Sequence, residues 1–209
     1  MILNLDEQNL LSATDYLVQQ DYALAHIVQQ YGYPPLWVRE HGFSSLVHII
    51  LEQQVSLESA KAAFNRLQAF TGVLSPANFL EINDDDLLRI GFSRQKKKYV
   101  RGLAEAILKD DFMLEKLPLL PDHLVREYMK RLNGVGDWTA DIYLTFCLRR
   151  PDILPKGDIA LYEAIKTLKQ LPKRPDYAAF ESLTAHWRPW RSVGARLLWH
   201  FYLCERGRS

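Results

Sequence analysis

Apolar positions recur at intervals of three and four residues along almost the whole chain. Leu10, Leu17, Leu24 and Ile27 follow this spacing near the N-terminus. It is the spacing of amphipathic α-helices, which bury one apolar stripe. No segment alternates apolar and polar residues as a half-buried strand does. The pattern therefore predicts an all-α chain of one or two helical lobes.

Capping residues place the helix boundaries. Serines precede the apolar periods at Ser56 and Ser93, and serine is a favoured N-cap. No linker and no internal repeat interrupts the helical pattern. The predicted helices cover residues 46–53, 57–70, 93–108, 121–132, 138–148, 158–168, 176–187 and 189–204, with shorter helices beginning at 75 and 83.

Composition and charge exclude several classes of protein. Hydrophobic residues make up 48% of the chain, which predicts a packed core, and the formal net charge is only +1. Contacts with nucleic acid would then come from local basic clusters. Two cysteines cannot supply a four-cysteine iron–sulfur cluster, and the histidines lack metal-binding spacing. Without a secretion signal or a long apolar span, we expect a cytoplasmic, intracellular protein.

A glycine pair marks the break between two predicted helices. Gly134 and Gly136, within Leu132–Asp141, permit backbone conformations closed to other residues and leave the N–H groups of the turn accessible. Together with the next helix N-terminus, these groups could bind a phosphate oxygen. The carbonyls of the turn could instead coordinate a monovalent cation. An ordinary helix–helix turn explains the glycines alone equally well.

Asp158 opens a predicted helix 22 positions after Gly136. An aspartate there is most often a simple N-cap. A catalytic role is the alternative, because cleavage of a purine–sugar bond builds positive charge on the deoxyribose. A carboxylate can stabilise that charge and orient the attacking water.

Five ordered motifs resemble those of the helix-hairpin-helix (HhH-GPD) DNA glycosylase superfamily, and most of all its bacterial 3-methyladenine DNA glycosylase II branch. The hairpin reads Leu-x-Gly-Val-Gly-x-Trp-Thr-Ala from Leu132, and Leu154-Pro155-x-x-Asp158 follows it. The other three are Ile50–Ser56, Gly91–Lys96, and Arg188–Ser192 with Trp199 beyond it. The resemblance runs from about residue 42 to the C-terminus.

This resemblance implies a two-lobed all-α fold with a cleft between the lobes. The whole of 1–209 would form a single glycosylase unit. Residues 42–110 would be mainly one lobe, and 111–209 mainly the hairpin and the Asp158 region, joined by the N-terminal helices.

The resemblance also assigns roles to residues. Asp158 would be the catalytic carboxylate, and Trp138 and Trp199 would wall a pocket for a flipped, cationic alkylpurine, with Ile142 and Tyr143 beside them. The DNA-binding set would be Gln53, Gln54, Gly134, Val135, Gly136, Thr139, Arg94 and Lys96.

Cofactors and partners follow from the same resemblance. The chemistry would need no cofactor, although the backbone carbonyls of Leu132 and Val135 could hold a structural Na⁺ or K⁺. The partner would be duplex DNA with damaged bases. The protein would bind it as a monomer and would not associate with a membrane. Lyase members of the superfamily carry a lysine where Trp138 stands, so the expected product is an abasic site formed by water attack.

The chain departs from the family pattern at three points. Asn133 replaces the usual hairpin proline, Ile142 stands where an aromatic residue is usual, and Gln54 replaces a leucine wedge. These changes leave the chemistry intact and bear on the substrate range. Two alternatives to an alkylpurine glycosylase stay open. One is a glycosylase for deaminated or etheno bases, and the other is a non-catalytic helix-hairpin-helix DNA-binding protein.

Overall fold

A computed structural model describes residues 4–207 of the chain. Within that range the regular structure is helical and contains no strand, which confirms the predicted all-α fold. Two 3₁₀ helices, Leu114–Leu119 and Ala185–Trp187, supplement the α-helices. The α-helices are α1 (Glu7–Gln20), α2 (Tyr22–Tyr31), α3 (Phe43–Glu52), α4 (Leu57–Thr71), α5 (Pro76–Leu80), α6 (Asp84–Ile90), α7 (Arg94–Leu108), α8 (Asp122–Met129), α9 (Asp137–Phe146), α10 (Ile159–Leu168), α11 (Tyr177–Leu183) and α12 (Arg191–Cys204).

Side-chain caps account for most helix starts. The hydroxyl oxygens of Ser56 and Ser93 each accept a hydrogen bond from a backbone N–H in the first turn of α4 or α7, at 3.2 Å, as predicted. The predicted helix 176–187 is shorter than expected, since α11 ends at Leu183. The Thr184 hydroxyl donates to the Phe180 carbonyl at 2.8 Å and closes the last turn.

The chain divides into two compact units. Unit 1 comprises Met1–Val38 and Leu144–Ser209, and unit 2 comprises Arg39–Tyr143. This division differs from the predicted one near residue 110, because the glycine hairpin belongs with residues 39–110. A direct side-chain contact explains the difference, since Gln53 donates a hydrogen bond to the Gly134 carbonyl at 2.9 Å.

Unit 1 is built around α12. The helices α1, α2 and α10 pack against it, and their apolar faces form one buried cluster with Trp187 at 0% exposure. Burial of these faces is the main favourable term for the unit.

A buried carboxylate separates α1 from α2 within unit 1. Asp21 caps α2, accepting from the Ala23 N–H at 2.9 Å, and it also accepts from the Trp187 indole N–H at 3.0 Å. The Lys169 ammonium lies 3.2 Å away. Burial alone would raise the pKa of Asp21, but the Trp187 and Ala23 hydrogen bonds and the Lys169 charge lower it overall.

Removal of this charge should destabilise the protein. We expect Asp21→Asn to reduce the free energy of unfolding by about 2 kcal/mol at pH 7, because Lys169 loses its buried counterion. A lowered folded-state pKa gives stability that is complete above the unfolded pKa of about 4 and is lost as the pH falls through the lower folded pKa, so the difference from wild type should shrink below about pH 4. Urea titrations between pH 3 and 7 measure it. Asp6→Asn, at the exposed cap of α1, is the matched control and should change stability little.

Unit 2 contains two helix packings that matter for the site. The helix α3 packs against α4 and α7, with Leu46 and Ile50 fully buried. The hairpin helices α8 and α9 are joined by an ion pair, in which Arg126 Nε lies 2.6 Å from the buried Asp141 carboxylate. Unit 2 therefore contains both the end of α3 and the glycine hairpin.

Candidate functional site

Asp158 in unit 1 lies at the N-terminus of α10. Its Oδ1 accepts hydrogen bonds from the Leu161 N–H at 3.1 Å and from the Trp199 indole N–H at 3.3 Å. The side chain is largely buried, with the residue 8% exposed. The preceding Gly157 has a left-handed φ of +83°, which turns the chain into the helix. Both hydrogen bonds hold the carboxylate in place at the start of α10.

Trp199 links this carboxylate to an aromatic cluster. Its ring centroid lies 5.1 Å from that of Phe146, with the planes tilted by 33°. Both side chains are only partly buried. The sequence analysis missed Phe146, because an aromatic residue in an apolar helix usually belongs to the core.

Arg196 also contacts the Phe146 ring, and the sequence analysis missed it as well. Its guanidinium carbon lies 5.3 Å from the Phe146 ring centroid. The side chain is fully buried and donates to the backbone carbonyls of Leu36, Ser192 and Thr145, at 2.8, 3.1 and 2.7 Å. Burial lowers the pKa of Arg196 to about 10, so it remains a cation at neutral pH.

The hairpin in unit 2 needs its first glycine for internal reasons. Gly134 has φ +87°, and a Cβ there would lie 2.2 Å from the Tyr99 ring. Gly136 differs, because its φ is not left-handed and a Cβ there would meet no atom within 4 Å. Packing within the chain therefore explains Gly134, whereas Gly136 faces open space.

The two glutamines after α3 have different surroundings. The Gln53 amide donates to the Gly134 carbonyl and to Thr139 Oγ1, both at 2.9 Å. Gln54 is exposed and holds a left-handed φ of +58°, which is unusual for a residue with a side chain. Its neighbours Val55 and Leu57 expose 45% and 53% of their surface. The turn thus exposes Gln54 to solvent, and two exposed apolar side chains follow it in the chain.

The two basic residues predicted to bind DNA also differ. Arg94 is exposed at the start of α7. Lys96 is partly buried, and its ammonium donates to the Leu51 carbonyl at 2.7 Å. Burial lowers the pKa of Lys96.

Several other predicted site residues lie inside the protein. Thr139, Ile142 and Tyr143 are 2%, 3% and 0% exposed. The Tyr143 hydroxyl also bonds His41 Nδ1, at 2.7 Å. Burial lends no support to a pocket role for Ile142 or Tyr143, and that role stays a prediction. Trp138, in the first turn of α9, is partly buried.

The structure thus brings together two groups of predicted residues. In unit 1 it joins Asp158 to Trp199, and in unit 2 it joins Gln53 to Gly134 and Thr139. Among the described residues, no group of three or more His, Cys, Asp or Glu side chains could hold a metal ion. Within 4–207, no helix combines the length and the apolar character needed to cross a membrane.

Comparison with known proteins identifies related chains of similar fold. A structure from Bacillus halodurans, titled a DNA-3-methyladenine glycosidase, is 26% identical with a TM-score of 0.76, over 100% of this chain and 96% of that one. The Mag1 glycosylase of Schizosaccharomyces pombe, in complex with abasic DNA, shares the fold at 24% identity and a TM-score of 0.81, over 90% of this chain and 95% of that one. YfjP of Bacillus subtilis is 28% identical over 85% of this chain, which spans 64% of YfjP.

The family match covers both groups of site residues except Trp199. A family model described as the HhH-GPD superfamily base excision DNA repair protein matches residues 47–189, more than two thirds of the chain. This match confirms the resemblance that the hairpin and Asp158 motifs indicated. The chain belongs to the HhH-GPD superfamily of base excision DNA repair proteins.

Proposed function

We propose that this protein is a base-excision-repair DNA glycosylase that removes alkylated purines, of the 3-methyladenine and 7-methylguanine type, from duplex DNA. One observation carries the proposal, namely the Asp158 carboxylate held at a helix N-terminus beside the Trp199 indole. The names of the similar Bacillus halodurans and Schizosaccharomyces pombe proteins support the same activity.

Asp158 would act on the sugar. As the N-glycosidic bond breaks, its electron pair leaves with the base and positive charge develops on C1′ of the deoxyribose. The Asp158 carboxylate stabilises that charge and accepts a proton from the water whose oxygen bonds to C1′. An alkylated purine already carries positive charge, so it departs as a neutral base without a second acid. The Trp199 ring offers a face on which such a cationic base can stack.

The hairpin would hold the DNA backbone. The N–H group of Gly136 lies beside the N-terminus of α9, where a helix favours an anion such as phosphate. The carbonyls of Leu132 and Val135 are hard oxygen donors that fit Na⁺ or K⁺, whose charge would add to the attraction for phosphate. The Leu132 carbonyl already accepts from the Val135 N–H at 3.2 Å, and each carbonyl oxygen has two lone pairs. Arg94, exposed on α7, would add a phosphate contact.

Gln54 would fill the gap left by the flipped nucleotide. It is exposed at the tip of its turn, whereas the amide of Gln53 is bonded within the protein. The exposed apolar side chains of Val55 and Leu57 suit contact with base and sugar faces. Gln54 is therefore the better candidate for the residue that enters the duplex.

The product would be an abasic site. Trp138 stands where lyase members of the superfamily have a lysine, and an indole cannot form a Schiff base with the sugar. We further propose that the protein works as a cytoplasmic monomer and that its hydrolytic step needs no cofactor.

A panel of damaged duplexes tests the proposal. Chromatography should detect 3-methyladenine and 7-methylguanine released from methylated DNA, with no enzyme–DNA adduct trapped by borohydride. Duplexes with hypoxanthine or ethenoadenine should react more slowly, because these neutral bases are poorer leaving groups. Release of those bases alone would favour the deaminated or etheno activity instead. Damage-independent binding without release of any base would favour a non-catalytic DNA-binding protein, in which Asp158 only caps α10.

A further inference from the structure

Four contacts join the turn after α3, the N-terminal half of α7 and the glycine hairpin within unit 2. Gln53 Nε2 lies 2.9 Å from both the Gly134 carbonyl and Thr139 Oγ1. Lys96 Nζ lies 2.7 Å from the Leu51 carbonyl, in the last turn of α3. The Tyr99 ring lies against Gly134, where it leaves no room for a Cβ. The turn and the hairpin therefore share one support.

The polar groups of Gln53, Thr139 and Lys96 form these contacts within the protein. Thr139 is 2% exposed, and its hydroxyl oxygen is an acceptor for Gln53. Both donor distances of the Gln53 amide are close to the optimum for a neutral hydrogen bond. The Lys96 ammonium donates a hydrogen bond to a carbonyl at the C-terminal end of α3, where a cation is favourable.

The same contacts lie next to Gln54, whose backbone conformation is unusual. A left-handed φ in a non-glycine residue persists only when its surroundings hold it. Gln54 follows Gln53 directly, and Lys96 holds Leu51 three positions before it. The backbone on the α3 side of Gln54 is thus fixed by two side-chain bonds to other segments.

We infer that Gln53 is a positioning residue, which ties the Gln54 turn to the hairpin so that the two DNA-contacting elements move as one body. Lys96 and Tyr99, one turn apart on α7, complete this support. The consequence for catalysis rests on the proposed function. A phosphate gripped at the hairpin fixes the depth at which Gln54 enters the duplex, so loss of the tie should slow base release more than it weakens DNA binding.

A double-variant cycle tests the tie itself. Gln53→Met keeps the side-chain length but removes the donor, and Thr139→Val removes the hydroxyl while keeping the shape. We expect Gln53→Met to speed amide hydrogen exchange of residues 133–136 about tenfold, because the Gly134 carbonyl loses its donor. In the Thr139→Val background the further effect of Gln53→Met should be smaller, since the two variants remove one shared interaction.

Gln54→Met is the matched control at the neighbouring glutamine. It should leave exchange in residues 133–136 unchanged, and its effect should multiply with that of Thr139→Val. Unchanged hairpin exchange in Gln53→Met, or multiplicative effects of Gln53→Met and Thr139→Val, would overturn the inference. This readout needs no DNA, so it decides the tie even if the wild type releases no base and the proposed function fails.

Single-turnover kinetics then separate positioning from simple stability. At a temperature where every variant is fully folded, Gln53→Met should lower the rate of base release at saturating DNA about tenfold. The dissociation constant for the same duplex should change less than threefold, because the phosphate grip at Gly136 remains. A loss of affinity as large as the loss of rate would instead make Gln53 a direct DNA contact.

Discussion

Asp158→Asn should strongly slow base release while leaving the fold and DNA binding intact. Asparagine caps helices as well as aspartate does, so the bond to the Leu161 N–H can persist, and its oxygen can still accept from the Trp199 indole. Only the negative charge is lost. In the proposed mechanism that charge stabilises the cationic sugar, so we expect the single-turnover rate on methylated duplex DNA to fall about a thousandfold.

The matched control is Asp176→Asn. Asp176 caps α11 in the same unit and accepts from the Ala179 N–H at 2.9 Å, but the residue is exposed and lies in none of the family motifs. It should retain wild-type activity. Full activity in Asp158→Asn would contradict the mechanism and reduce Asp158 to an N-cap.

Alanine at the two hairpin glycines should separate stability from DNA binding. Gly134→Ala places a Cβ 2.2 Å from the Tyr99 ring, at a left-handed φ of +87°. The clash involves ring atoms next to the Tyr99 stem, which cannot move aside freely. We expect the free energy of unfolding to fall by about 3 kcal/mol, measured by urea denaturation.

Gly136→Ala should instead weaken DNA binding and leave stability nearly unchanged. Its new Cβ meets no protein atom within 4 Å, so the free energy of unfolding should change by about 1 kcal/mol or less. The methyl group would occupy the space through which a phosphate approaches the turn. Affinity for duplex DNA should therefore fall about tenfold, at one fixed salt concentration. Unchanged affinity in a folded Gly136→Ala protein would remove the hairpin from the proposed DNA grip.

The helix starts and the position of Asp158 were predictable from the sequence, because they depend on contacts between residues close together in the chain. Ser56 and Ser93 cap helices with their own side chains, and Asp158 caps α10. Such bonds span three residues, so a sequence pattern contains both partners. The glycine spacing and the downstream acid likewise belong to short motifs that the family match covers.

Contacts between distant segments were not predictable from the pattern. The bond from Gln53 to Gly134 spans 81 residues, and the one from Trp187 to Asp21 spans 166. The local spacing of apolar and polar residues contains no information about partners so far apart in the chain. The family resemblance predicts DNA contacts for Gln53 and Thr139 but does not report their bond to each other, and it groups the hairpin with the Asp158 region, whereas the structure groups the hairpin with residues 39–143.

The discontinuous composition of unit 1 bears on the order in which the chain folds during synthesis. Unit 2 is one continuous segment, so its contacts can form while later residues are still within the ribosome. Residues before Arg39 must wait for α10 and α12 to emerge before they find their partners. The Asp158–Trp199 bond joins α10 to α12 and is therefore among the last contacts to form. A nascent chain would acquire its glycine hairpin well before Asp158 is in place.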